Sequence, residues 1–298
     1  MSFNSSQWFR APEKKIRVIG KDARVFLNRV LTQDCLTLKV GEGAYTFQCN
    51  SKGRVLSFFY LYLLKDEEVW IFCEPSLLSR ILSISNFIIL EDVRFEEALD
   101  DLGVVLGSKT QISNDGVLPT TCVQINRDRW ASECLEVWGP SSDINHWVMR
   151  FPKEDELSQD ALSILRIQSQ TPTYGVDVTE ENFPQETNFL KALNFNKGCY
   201  IGQEIIARIH FRGHVNKKLT LFEIQHHEIP RHGTPILYEG KEVGQVTSAT
   251  FSSKIHGVIA LGYIQTAHDR KDVIFSIANQ PAHKCVEAIG DYKGSSAW

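Results

Sequence analysis

The sequence predicts an α+β body followed by a small all-β domain. Strand-like and helix-like runs alternate irregularly through the first two thirds of the chain. Over roughly the last 80 residues, short strand-like runs recur with turn signals between them, the pattern of a small barrel or sandwich. The length, 298 residues, exceeds what one hydrophobic core usually organises. By this reading the chain divides into residues 1–100, 101–215 and 216–298.

In the first part, Lys15 to Gly20 reads as a short strand ending in a turn. Asp22 is placed to cap a helix whose Ala23, Phe26, Leu27, Val30 and Leu31 line one face. Gly43 to Asn50 alternates apolar and polar residues, as a half-buried strand does. Ser51-Lys52-Gly53 is a turn, and Val55 to Leu64 is a nearly continuous apolar strand, covered on both faces. Val69 to Cys73 is a further strand, and Ser76 is placed to cap a helix carrying Leu77, Leu78, Ile81 and Leu82.

The second part holds strands at Leu102–Leu106, Cys122–Asn126 and Glu133–Trp138, then helices opening at Ser141 and Ser158. The stretch from Gln168 to Asn196 has little periodicity and prolines at 172 and 184; loops of that length are often functional. In the third part, strands are expected at Leu219–Gln225, Pro235–Tyr238, Val243–Ala249, Val258–Ile264, Val273–Ile277 and Lys284–Ile289, with a hairpin turn at Glu239-Gly240.

Composition narrows the class of protein. Hydrophobic residues are 43% and charged residues 23%, which excludes a largely disordered chain. The apolar run Phe58–Leu64 is far short of the roughly 20 residues that span a bilayer. The net charge of −4 gives no global field for nucleic acid, so neither a membrane nor direct nucleic-acid binding is expected. Residues 1–8 carry no secretory signal pattern, which points to the cytoplasm, or to an organelle matrix if a presequence was removed. The seven cysteines include no CxxC pair, and His226, His227 and His232 have no neighbouring cysteine, so no resident metal site is expected. Six of the cysteines read as reduced, mostly buried thiols.

The seventh, Cys199, stands apart. It lies in Asn196-Lys197-Gly198-Cys199-Tyr200-Ile201-Gly202-Gln203-Glu204, where two glycines flank the thiol beside a lysine at the start of a helical pattern. Positive charge and a helix N-terminus both favour a thiolate. Residues 197–218 carry five Lys or Arg, Arg208 among them, against one acid, Glu204, a balance that suits an anionic partner. A tight turn with a small buried thiol and a solvated basic face fits the same residues.

Lys197 to Glu204, followed by Ala207-Arg208, resembles the K-G-C-[FY]-x-G-Q-E signature of the YgfZ-type folate-binding proteins. These are relatives of the glycine-cleavage T-protein that support iron–sulfur cluster assembly and repair. Pro184-Gln185-Glu186-Thr187-Asn188, His210-Phe211-Arg212-Gly213, the run from Asp22 to Asp34, and Val243 to Ser248 are similar to other stretches of that family. The resemblance implies a fold: a ferredoxin-like part and a second α+β part around a central hole, joined to a C-terminal β-barrel. It also implies a tetrahydrofolate-type ligand in the hole and iron–sulfur proteins or their assembly machinery as partners. The functional thiol would be Cys199, supported by Lys197, Gly198, Tyr200, Gly202, Gln203, Glu204 and Arg208.

Two departures from the T-protein pattern bear on activity. The T-protein carries an Asp-Asp pair after the Gly-containing turn, where this chain has Ser57-Phe58, and neither can act as a carboxylate base. Its pterin-gripping Glu is replaced by Gln168, which offers hydrogen bonds without charge. Thr32 and Asp34 at the end of the first helix, and Tyr174-Gly175 behind Gln168, are further candidates for the cavity wall; a helix-end hydrogen bond explains the first two equally well. The expected role is an accessory factor in iron–sulfur protein maturation. A folate-dependent one-carbon transferase and a non-catalytic docking scaffold are the alternatives.

Overall fold

The computed structural model describes residues 6–107, 118–270 and 273–285. The elements run β1 (Trp8–Arg10), β2 (Lys14–Ile19), α1 (Ala23–Val30), β3 (Gly43–Cys49), β4 (Val55–Lys65), β5 (Glu68–Cys73), α2 (Leu78–Leu82), β6 (Arg94–Glu97) and β7 (Asp101–Gly107). They continue as β8 (Val123–Arg129), β9 (Ser132–Pro140), α3 (Ser141–Val148), α4 (Gln159–Gln168) and α5 (Gln203–Arg212). The chain then forms β10 (Lys217–Ile224), β11 (Pro235–Tyr238), β12 (Lys241–Ser252), β13 (Gly257–Gln265), β14 (Ile274–Ile277) and β15 (Gln280–Lys284).

Three sheets organise the protein. A five-stranded sheet has the order β3-β4-β5-β2-β6, a four-stranded sheet the order β1-β7-β9-β8, and β10 to β15 close into a barrel. On one face of the first sheet, Phe26, Leu27 and Ile81 of α1 and α2 pack against Phe59, Leu61 and Ile71. On the other, Phe47, Phe58, Tyr60, Trp70 and Phe72 meet Ile125 and Trp138 of the second sheet. Phe189, Tyr200 and Ile206 join that second core, so the cysteine loop packs on the first sheet. α4 seats Ile164 and Ile167 on the barrel, against Leu219, Leu221, Ile259 and Leu261.

Several local expectations are corrected. β3 is buried on both faces, because Thr46 and Gln48, like Tyr45 and Phe47, lie under neighbouring chain. Asp22 precedes α1 but does not cap it; its carboxylate accepts from Asp92 N at 2.9 Å and ties α1 to the strap before β6. Ser76 lies inside a 3-10 turn and caps nothing. Ser158 does cap α4, accepting from Ala161 N at 3.2 Å. The last strand is Gln280–Lys284, earlier than expected, because Ala278 and Asn279 both adopt positive φ and close a two-residue hairpin. Residues 286–289 of the expected strand lie outside the described residues. Among the described residues no helix is long and apolar enough to cross a membrane.

Candidate functional site: the Cys199 loop and the central cavity

The Cys199 loop is fixed from beneath. The Lys197 ammonium donates to the carbonyls of Asn28 (2.6 Å), Leu31 (2.8 Å) and Gln33 (2.7 Å), three oxygens at and beyond the C-terminal end of α1. Such carbonyls have no partner within a helix, and a cation suits them. Burial lowers the Lys197 pKa to about 8. Against that cost the three carbonyls hold the ammonium beneath the loop, a structural use that is not legible in the sequence. Ile201 N donates to the Arg29 carbonyl at 3.2 Å, and the Tyr200 ring is buried in the core between the sheets.

Gly202 precedes α5 at φ +87°, and a Cβ there would stand 2.5 Å from the Asn50 carbonyl oxygen. Only glycine meets both constraints. Gln203 starts α5 and its amide donates to the Lys197 carbonyl at 3.4 Å. Gln185 donates to Ile206 O at 2.7 Å, and Glu186 accepts from Asn182 Nδ2 and Phe183 N, so the Pro184–Asn188 run supports α5. Gly198, Cys199, Glu204 and Arg208 face solvent. On the same helix His210 stacks on Phe195 with ring centroids 3.7 Å apart, and Phe211 and Arg212 are exposed.

Cys199 is the exposed thiol of the seven; Cys285 is half-buried and the other five are buried. Burial pushes Cys35, Cys73, Cys134 and Cys285 up to about 12, and raises Cys49 and Cys122 as well. Those six are therefore protonated and poorly nucleophilic at neutral pH.

The space between the two sheets forms a second centre. Tyr45, Phe58, Tyr60 and Phe72 wall a cavity of about 60 Å³ whose other side carries Glu13, Glu74, Arg127, Arg129, Arg166 and Tyr174. Arg129 donates through Nε to Glu136 at 2.9 Å, and its Nη1 lies 2.8 Å from Glu13. Arg127 Nη1 lies 3.3 Å from Glu13 and 3.6 Å from Glu136. Burial alone would raise Glu13, but Arg129 and Arg127 outweigh it and hold the carboxyl below its usual range. Glu74 is raised, first by burial and then by the charge of Glu13. The sequence reading missed these residues. The available signal was the spacing of Arg127 and Arg129, two apart and thus on one face of a strand.

The candidate cavity residues separate. Tyr174 lines the cavity, and Gly175 behind it turns the chain at φ +84°. Gln168 is buried at the end of α4 and is not among the lining residues. Thr32 Oγ1 donates to the Ala192 carbonyl at 2.7 Å and accepts from Phe47 N, while Asp34 accepts from Leu36 N and Thr37 N. Thr32 thus ties the end of α1 to β3 and to the segment before the Cys199 loop, Asp34 fixes the turn that follows it, and neither is among the residues that line the cavity. Arg166 pairs with Asp177 at 2.6 Å and donates to Ser248 at 3.0 Å. A bulge in β12 at 246–248 turns Thr247 and Ser248 to Asp177 as well, which locks the barrel to the body. Ser57 Oγ donates to Gln48 and the Phe58 ring stacks on Tyr45, so the T-protein's carboxylate position is occupied by a hydroxyl and a phenyl. Ligand pockets usually span about 300–1,000 Å³, so this cavity, with its side chains placed as they are, is too small to seat a folate. Among the described residues no cluster of His, Cys, Asp or Glu could hold a metal ion.

A mixed α/β body followed by a closed six-stranded barrel defines a T-protein-like fold. The GCVT N-terminal domain matches residues 11–105, and the glycine cleavage T-protein C-terminal barrel domain matches residues 217–286. The chain thus has the T-protein-like fold and is related to the T-protein, with the Cys199 loop between the two matched segments. It is 26% identical to an aminomethyltransferase of Symbiobacterium thermophilum, over 85% of this chain and 76% of that one. It is 24% identical to an uncharacterized protein of Haemophilus influenzae, over 89% and 90% of the two chains. The glycine cleavage system aminomethyltransferase T of Bartonella henselae superposes with a TM-score of 0.85 at 16% identity, covering 95% of this chain and 85% of that one.

Proposed function

We propose that this chain is a thiol-centred accessory factor for iron–sulfur proteins, of the YgfZ type, on the T-protein scaffold. The observation that carries this reading is the presentation of Cys199. It is the exposed thiol, on a loop anchored by the three Lys197 hydrogen bonds and by the close approach of Gly202. A thiolate is a soft ligand suited to iron, so transient contact with a client's cluster, as cargo, or thiol redox chemistry is within its reach. Arg208, Arg212 and His214 are exposed along the same segment and suit an acidic partner surface, such as an iron–sulfur protein or part of its assembly machinery. The thiol chemistry fits a reduced compartment, cytoplasm or organelle matrix. Tetrahydrofolate, which the resemblance implies, is assigned no step.

The test is complementation. In cells lacking the chain, wild type restores the activity of a dependent iron–sulfur enzyme and Cys199→Ser, at equal abundance, does not. Full rescue by Cys199→Ser sinks the proposal. A second reading, aminomethyl transfer, is favoured by the names of the curated relatives. It predicts turnover of an aminomethyl or methyl donor with tetrahydrofolate, which Ser57-Phe58 oppose because they supply no carboxylate to bind an ammonium or move a proton.

A further inference from the structure

We infer that Arg127 plugs the central hole and closes it to a folate-sized ligand. The guanidinium carbon lies 4.1 Å from the Tyr60 ring centroid, 5.4 Å from Tyr45 and 5.7 Å from Phe72. A cation held against ring faces in this way is attracted by each of them, most strongly when desolvated, and Arg127 is 4% exposed. It therefore occupies the aromatic surface that a flat ring system would need. Tyr45 Oη also accepts from its Nη2 at 3.4 Å.

The plug cannot be withdrawn cheaply. Arg127 and Arg129 offset Glu13 and Glu136, two cations against two carboxylates, all buried or nearly so. Withdrawing Arg127 leaves two carboxylates facing one cation in a water-poor space. Breaking such a buried pairing weakens any binding that requires it by about two to three powers of ten. What remains, about 60 Å³, suits a few waters, since each needs roughly 10–15 Å³. Arg127 Nε and Glu13 Oε2 are buried without a hydrogen-bond partner in the protein, a donor and an acceptor that water-sized species satisfy. The hole is a structural centre, and ligand chemistry belongs on the Cys199 face. This inference is independent of the role proposed for Cys199, which stands or falls by complementation.

The test is titration of the whole, reduced protein with tetrahydrofolate and with folinic acid. Calorimetry is followed together with the fluorescence of Trp130, which lines the cavity. Wild type is expected to give neither saturable heat nor Trp130 quenching up to millimolar ligand. The charge-balanced double variant Arg127→Ala with Glu13→Gln is expected to gain saturable binding, tighter by at least 10-fold. Saturable binding by wild type with quenching that vanishes in Trp130→Phe overturns the inference, whether or not the double variant folds. A folded double variant that still binds nothing also overturns it, because the hole would then be closed by something other than Arg127.

Discussion

Gly53 and Gly202 meet face to face. A Cβ built on Gly202 would lie 3.1 Å from the Gly53 Cα, and Gly53 itself adopts φ +72° beneath Ile205. The β3–β4 turn and the start of α5 are thereby pressed backbone to backbone, and this contact sets where Cys199 stands.

Gly202→Ala is expected to destabilise the fold by about 1–3 kcal/mol, since it adds both left-handed strain and a clash with the Asn50 carbonyl. Gly198→Ala is the contrast. Nothing lies within 4 Å of its Cβ position, so its effect should stay within about 0.5 kcal/mol. Denaturant unfolding of the two variants side by side checks this; equal losses would contradict it.

Lys197→Met keeps the aliphatic stem and removes the ammonium. The carbonyls of Asn28, Leu31 and Gln33 lose their shared donor. The expected cost is about 2–4 kcal/mol, with faster alkylation of Cys199 as the loop loosens. Unfolding midpoints and alkylation rates measured on the same preparation report both effects. Unchanged stability would mean that water replaces the ammonium without loss.

Native, reduced protein should take up iodoacetamide rapidly at Cys199 alone. The other six thiols are covered wholly or in part and raised by burial. In denaturant all seven should react. Peptide mapping by mass identifies the site, and fast labelling at a second cysteine would show that its cover opens.

Glu74 gives a pH signature. Its carboxyl is raised above the ordinary value near 4.5, by burial first and by Glu13 second. Between those two values the folded protein holds a proton that the unfolded chain has released, so stability falls as pH rises through the window. Glu74→Gln removes that loss. The stability of the variant relative to wild type should therefore grow as pH rises from about 4.5 towards neutrality. Urea midpoints across that range test the trend, and a flat difference would show that Glu74 is solvated.

Period and punctuation in the sequence were enough to place most elements. The apolar spacing of Ala23, Phe26, Leu27 and Val30 marked α1, and all four are buried. The Glu239-Gly240 turn marked the β11–β12 hairpin, whose two loop residues have positive φ. The K-G-C-Y-I-G-Q-E run singled out the one exposed thiol. These features are local, fixed by the backbone preferences of adjacent residues and by which side chains repeat on one face.

Other properties come from residues far apart in the chain, and only the tertiary structure decided them. Lys197 reads as a charge beside a thiol, yet its ammonium reaches back 166 positions to Leu31 and serves as a staple. Arg127 and Arg129 have no role legible in the sequence, yet β8 turns them inward onto Glu136 of the adjoining β9 and onto Glu13, which precedes β2 far back in the chain. Whether a charge is solvated, paired or sealed under aromatic rings depends on what the fold brings opposite it, because desolvation and Coulomb attraction act between groups that meet only once the chain has folded. Sequence spacing determined the scaffold and the thiol. Packing determined that the central hole is filled.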